Sequence, residues 1–328
     1  MTFLRSVLQF TNFRNPILST LVPSVSLAYA IQAAVAIPSI AAQSERFYDL
    51  SGSLTYLSCT ALSLYLPALR ARSAATASGG VKPPWPSIVA SVSGKGAANA
   101  FDWRQLVLSA AVAVWATRLG TYLFQRIMKE GNDSRFEGLR DSPPKFFGAF
   151  MAQATWVSLC LLPVLAINSV PLTLLASLPK LMPTDVLGLA LFVGGFGFEV
   201  IADRQKNKWL QEKREKKHDE DFLTRGLWSR SRHPNYFGES TLWTGIATVA
   251  GGVLLSNPGQ LGLGFAGSIW GKLLALGMAG VSPAFVVFLL LKVSGIPLSE
   301  NKYDKRYGDR SDYQTWKSQT PMFFPKPR

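Results

Sequence analysis

Val186-Leu187-Gly188-Leu189-Ala190-Leu191-Phe192-Val193-Gly194-Gly195-Phe196-Gly197-Phe198-Glu199-Val200-Ile201-Ala202 is an apolar run that ends abruptly in Asp203-Arg204-Gln205-Lys206. A helix needs about 20 apolar residues to cross a bilayer, so 186–202 reads as a membrane helix emerging into a charged segment. The glycines at 188, 194, 195 and 197 allow close approach by a neighbouring helix. Glu199 is the exception, an ionisable group inside or at the edge of the apolar run. Such a group is a functional hypothesis by default, with an ion pair to a neighbouring arginine as the structural alternative. Glu199, Asp203 and Lys206 recur at helical spacing and share a face.

Similar runs occur at 17–42, 50–69, 105–124, 149–168, 241–256 and 269–292. Together they predict an all-α, multi-spanning membrane helical bundle of about seven spans. The composition agrees, with 48% hydrophobic and only 16% charged residues, below the roughly one-quarter charged of a soluble domain. Lys and Arg outnumber Asp and Glu by 34 to 20, a formal net charge of +14. Most of the excess falls in 126–145, 204–232 and 292–328, which seven spans place on one side. The positive-inside rule makes that side cytosolic, with the C-terminus inside. Segment 70–104 runs against this scheme with Arg70, Arg72, Lys82, Lys95 and Arg104. Its Ser, Ala, Gly and Pro content predicts a disordered loop. Because the basic residues flank spans, nucleic-acid binding is not expected. Arg5 and Arg14 are well separated, and Pro16 and Pro23 follow, so the first apolar run is expected to be a retained span rather than a cleaved signal.

Cys59 and Cys160 sit far apart inside apolar runs, and His218 and His233 are the only histidines. No metal site or disulfide framework is expected. Dinucleotide and phosphate-loop signatures are missing, as is a serine elbow, so a nucleotide site here must be built from helix ends and side chains.

The densest polar motif is Gly226-Leu227-Trp228-Ser229-Arg230-Ser231-Arg232-His233-Pro234-Asn235-Tyr236-Phe237-Gly238-Glu239, where a loop enters the 241–256 span. Two readings are open. Its arginines can give bidentate bonds to phosphate, with Asn235 and Tyr236 orienting sugar or amide groups. Alternatively, the motif anchors the chain at the interface, with arginines reaching headgroups and Trp and Tyr in the aromatic belt. A second polar group, Pro297–Tyr303 followed by Arg306-Tyr307-Gly308 and Tyr313, begins where the last span ends. A third consists of Arg118, Arg126 and Asp133-Ser134-Arg135-Phe136, and it reads equally well as a cytosolic loop.

The run Arg232–Glu239, with Gly226-Leu227-Trp228 before it, resembles the hallmark of the steroid 5α-reductase-like superfamily. Arg118-Leu119-Gly120, Asp133–Phe136, Glu199, Ala202–Lys206 and Gly295-Ile296-Pro297-Leu298-Ser299-Glu300 resemble further elements of one branch, in the same order. Tyr307, Tyr313 and Pro325 complete the match, which covers about 105–325. It implies a catalytic membrane domain over 105–328, preceded by spans and a loop in 1–104.

It also implies an NADPH site formed by Asp203, Lys206, Arg232, His233, Asn235, Tyr236, Glu239, Glu300 and Tyr307. The implied reaction is hydride transfer from the nicotinamide to a carbon–carbon double bond of a sterol-like or other lipid substrate taken from the bilayer. A hydrogen-bond donor must polarise the substrate, and Glu199 and Tyr236 are the candidates. The Gln-Glu-Leu-Pro-like setting of the steroid enzymes' early glutamate is not found; Tyr56 and Tyr65 stand in the second span instead. Isoprenylcysteine carboxyl methyltransferases share the Arg-His-Pro-x-Tyr run, so an S-adenosylmethionine-dependent methyltransferase is one alternative. A non-catalytic lipid-binding scaffold is another. A eukaryotic member of the group is expected in the endoplasmic reticulum membrane.

Overall fold

The computed structural model describes residues 3–93 and 100–327; Lys95 lies outside the described residues. The chain is 76% helix, and no strand occurs among the described residues. In order, the helices are α1 (Phe3–Phe10), α2 (Pro16–Ala41), α3 (Tyr48–Ser78), α4 (Ile88–Ser93), α5 (Trp103–Glu130), α6 (Pro143–Ser169) and α7 (Leu172–Leu175). They continue with α8 (Pro183–Arg214), α9 (Pro234–Leu255), α10 (Asn257–Gly262), α11 (Ile269–Phe288), α12 (Ile296–Tyr307) and α13 (Ser311–Gln319). A π-helical turn, Leu289–Val293, joins α11 to α12.

Among the described residues, five segments are long and apolar enough to cross a membrane: α2, α5, α6, α8 and the continuous stretch Ile269–Tyr307. The chain is thus a multi-pass membrane protein in contact with lipid. The other two expected spans are also long helices, α3 with 31 residues and α9 with 22. Their apolarity is diluted by hydroxyl side chains. Thr55, Thr241, Thr244 and Thr248 each donate to the carbonyl four residues back at 2.7–2.8 Å, which satisfies the hydroxyl within its own helix.

The fold divides into two compact units. The first comprises Met1–Met182 with Val249–Val281, and the second Pro183–Thr248 with Ser282–Arg328. In the first unit α2 packs on α3 and α6, and α3 on α5. Its interior includes a polar network in which Gln32 donates to Thr55 Oγ1 at 2.8 Å and accepts from Gln153 Nε2 at 3.1 Å. The stretch 70–104, expected as a disordered loop, is helical at both ends. Helix α3 carries Arg70 and Arg72 on to Ser78. Arg70 donates to Ser19 Oγ and Ser19 O, both at 2.7 Å, and to Thr11 O at 2.9 Å. The Arg72 guanidinium lies 4.5 Å from the centroid of Trp85. These contacts fix a segment whose composition alone resembles a linker.

The second unit is organised by α8 crossing α9. A Cβ on Gly195 would lie 2.5 Å from Leu242 N, and one on Gly238 would lie 2.6 Å from Glu199 N. Only glycine lets the two backbones meet at this distance. Of the four glycines expected to do this, Gly194 and Gly197 face open space.

Candidate functional site

Pro234 opens α9, a position suited to its fixed φ, and the residues before it form a tight turn. Gly226 has φ +61° and faces the Gln205 amide, whose Oε1 accepts from Leu227 N at 2.9 Å. Trp228 donates from Nε1 to Ala202 O at 3.0 Å. The C-terminal tail runs alongside the turn: Arg232 N donates to Pro321 O and Lys326 N to Arg230 O, both at 2.9 Å. Ser231 Oγ donates to Phe323 O at 2.9 Å. The motif is therefore held from one side by α8 and from the other by the tail.

That frame turns Arg232 and His233 toward α12, where Glu300 is the hub. Its Oε1 is 2.8 Å from His233 Nε2, and its Oε2 is 3.3 Å from Arg232 Nη2 and 3.7 Å from Lys317 Nζ. Arg232 also donates from Nη1 to Lys317 O at 2.9 Å. The His233 ring stacks on Tyr236 at 5.6 Å between centroids and 7° between planes. Burial pushes the His233 pKa below its usual value. Its bond to Glu300 works the other way, and the charges of Lys206 and Arg232 add to the depression.

Lys206, Arg232, His233 and Glu300 line one cleft, walled by Trp209, Phe222, Trp228, Tyr303, Tyr313 and Trp316. Three ring faces carry lysine ammoniums: Lys206 on Trp228 at 5.2 Å, Lys213 on Trp209 at 5.4 Å and Lys317 on Tyr313 at 5.8 Å. Among the described residues, two buried donors in this wall have no hydrogen-bond partner, Arg232 Nε and Trp316 Nε1. A buried donor left unsatisfied costs about 1–3 kcal/mol, which an acceptor in the cleft would offset. The open space is small, about 30 Å³, room for a water or two.

The other expected residues fall elsewhere. Tyr307 is buried beside the cleft, 6.2 Å from Phe222 and 5.9 Å from Tyr303 between ring centroids. Asp203 and Glu199 are buried on α8, Glu199 at the crossing with Gly238. Asn235 and Glu239 do not line the cleft, although Asn235 Oδ1 is buried and unpartnered. The sequence reading did not single out Phe222, Trp316 or Lys317. The available signal was the recurrence of aromatics through the charged tail, at 303, 307, 313 and 316.

The third polar group is structural and belongs to the first unit. Asp133 accepts from Arg135 Nη2 at 2.7 Å and Arg126 Nη2 at 3.1 Å, while Asp49 Oδ2 accepts from Arg135 Nη2 at 3.0 Å. Phe136 packs in the core with Ala36, Phe146 and Phe150.

The model of one protein family, described as a protein of unknown function (DUF1295), matches residues 77–320. The chain belongs to the DUF1295 family. That family lies in the steroid 5α-reductase-like group. All nine residues expected to hold the cofactor fall inside the DUF1295 match, whereas the tail segment 321–327 that clasps the motif lies beyond it. No curated protein and no solved structure matches the chain significantly.

Proposed function

We propose that this chain is an NADPH-dependent membrane reductase acting on a carbon–carbon double bond of a sterol-like or other hydrophobic lipid. The observation that carries the reading is the cleft around Glu300. It gathers Lys206 from α8, Arg232 and His233 from the turn before α9, and Glu300 from α12, and it leaves Arg232 Nε and Trp316 Nε1 without acceptors. Membership of the steroid 5α-reductase-like group supports the same choice.

The donor chemistry fits a phosphate-bearing cofactor. Arg232 and Lys206 would bind phosphate, and Glu300 would hold Arg232 and His233 in position. The remaining 30 Å³ does not take a whole dinucleotide, so binding requires the aromatic wall of Phe222 and Trp316 to swing aside. When bound, NADPH supplies a hydride. Tyr236, which stacks on His233, would donate a hydrogen bond to a polarised substrate, and Glu199 is the second candidate. Burial among spans excludes water and strengthens each such interaction. In this reading the C-terminus is cytosolic, and a eukaryotic chain resides in the endoplasmic reticulum.

Aromatic walls also suit a sulfonium, the cation of S-adenosylmethionine. The lysines on Trp209, Trp228 and Tyr313 already take those ring faces and would repel a further cation. The methyltransferase reading is therefore the weaker one. Titration of the detergent-purified full chain with NADPH and with S-adenosylmethionine tests this. Micromolar NADPH affinity is expected, falling about 100-fold in Arg232→Ala through loss of a buried charge-assisted contact. Glu300 keeps His233 and Lys317 in that variant, so the fold persists. Unchanged NADPH affinity in Arg232→Ala, or binding of S-adenosylmethionine alone, overturns the reading.

A further inference from the structure

We propose that a second cleft, beside Arg230, binds the phosphate of an anionic phospholipid at the bilayer edge. The turn 226–233 sends its residues to two places. Trp228, Arg232 and His233 line the Glu300 cleft, whereas Leu227, Ser229 and Arg230 line a separate cleft of about 550 Å³. Its far wall is Ile201 and Gln205 from α8, and its rim is Lys326 and Pro327 from the tail. None of these lining residues is acidic. The volume lies within the range of small-molecule sites and accommodates a glycerophosphate headgroup.

The cations are aimed, not merely present. Arg230 Nε donates to Lys326 O at 3.1 Å, and Lys326 Nζ donates to Gln319 O at 3.0 Å. Each is thereby fixed at the cleft's rim. The terminal guanidinium nitrogens of Arg230 have no hydrogen-bond partner among the described residues. A charged, fork-shaped donor left open in this way matches phosphate.

The choice of a lipid rests on the apolar surroundings. Ile201 belongs to a candidate membrane span and is 49% exposed, while Met322 and Phe324 on the tail are 40% and 73% exposed. An acyl chain can follow that surface into the hydrocarbon while Arg230 and Lys326 hold the headgroup, each basic residue strengthening selection for an anionic lipid. The proposal does not depend on the reductase reading, since it uses neither Glu300 nor any residue of its cleft. It divides the two open interpretations of the motif between its arginines, with Arg232 for the inner ligand and Arg230 for the bilayer.

Native mass spectrometry of the full chain in detergent tests it, titrating dioleoyl phosphatidylglycerol against dioleoyl phosphatidylcholine. Wild-type protein is expected to retain phosphatidylglycerol about tenfold better. The Arg230→Gln/Lys326→Gln variant should lose that preference, while Lys302→Gln/Lys305→Gln should keep it. If the double variant does not purify folded, Arg230→Gln alone should weaken the lipid at least threefold. Equal retention of both lipids, wild-type retention by the cleft variants, or displacement by millimolar inorganic phosphate overturns the lipid assignment. NADPH affinity, measured on the same samples, should stay at its wild-type value and so reports separately on the inner cleft.

Discussion

Arg126 and Arg135 of the first unit share Asp49 and Asp133, whereas Arg232, His233 and Lys317 of the second share Glu300. Both clusters come from short charged motifs beside a membrane helix. In the first, two arginines meet two carboxylates, and the backbone is satisfied too: Asp133 N donates to Glu45 Oε1 at 2.7 Å and Arg135 N to Asp133 Oδ1 at 2.9 Å. Asp133 accordingly has a lowered pKa: burial opposes the shift, but the hydrogen bond and charge of Arg135 outweigh it. In the second, Lys206 and Arg232 line a cleft with one carboxylate, Glu300, and buried donors lack acceptors. Closed, balanced polar groups hold structure. An open group with spare donors is the proposed cofactor site.

The harshest way to break this comparison is to remove the frame that holds the second cluster. Gly195→Leu puts a side chain where even a Cβ would lie 2.5 Å from Leu242 N. The helices must separate, and overpacking against rigid backbone typically costs about 1–3 kcal/mol or more. Loss of monodisperse folded protein in size-exclusion chromatography is expected, while Gly194→Leu, facing open space, should purify normally.

A milder contrast comes from the clusters themselves. Arg135→Ala removes bonds to Asp49 and Asp133. The Arg135 side chain is 37% exposed, so solvent screening limits the loss to about 1–2 kcal/mol. A melting point a few degrees lower with unaltered NADPH affinity is expected. Arg232→Ala should do the reverse. If both variants lose stability and both keep NADPH, the two clusters are of one kind and the distinction fails.

Much of this organisation was legible in the chain. Helix α8 was readable because its apolar run stops at a charged turn. Lys206, Arg232, His233 and Glu300 were named from motifs and do converge. The reach of α3 was hidden, because Arg70 and Arg72 read as loop charges until the acceptors on Ser19 and Thr11, some 50 to 60 residues away, are known. Asn235 and Glu239 fall outside the cleft lining for a geometric reason. They lie four apart on α9 and share a face, and no residue of α9 lines the cleft. Phe222 and Trp316 were invisible because an aromatic in a polar tail resembles any interfacial residue. Their role depends on the loop before α9 folding back over α13.

Protonation offers a finer probe of the second cluster. His233 has a depressed pKa, first through burial. Between its ordinary value near 6.5 and the lower folded value, the unfolded chain binds the proton and the native one does not. Stability from neutral His233 is therefore present above about pH 6.5 and declines as pH falls below it. A bound anion reverses the preference, since imidazolium would neutralise phosphate. NADPH affinity should rise severalfold from pH 7.5 to 5.5 while the melting temperature falls, and His233→Gln should flatten both curves. Parallel pH curves in the wild type and the variant would place the titrating group elsewhere.

The smallest effect expected concerns the loop over the cleft. Asp221 is bonded to Arg310 Nη1 at 2.5 Å and Lys213 Nζ at 3.2 Å, which hold its pKa below the usual carboxylate range. Arg310 is exposed and Asp221 and Lys213 are partly so, and solvent screens such pairs strongly. The neighbouring Phe222 instead inserts its ring between Tyr313 at 5.6 Å and Trp316 at 4.9 Å. If ring packing holds the loop, Asp221→Asn should change NADPH affinity less than twofold, and raised salt should act no differently on the variant. Phe222→Ala, by contrast, should speed both binding and release in stopped-flow fluorescence, because the wall that must move is gone. If Asp221→Asn accelerates exchange as much as Phe222→Ala does, charge rather than packing is what keeps the cleft shut.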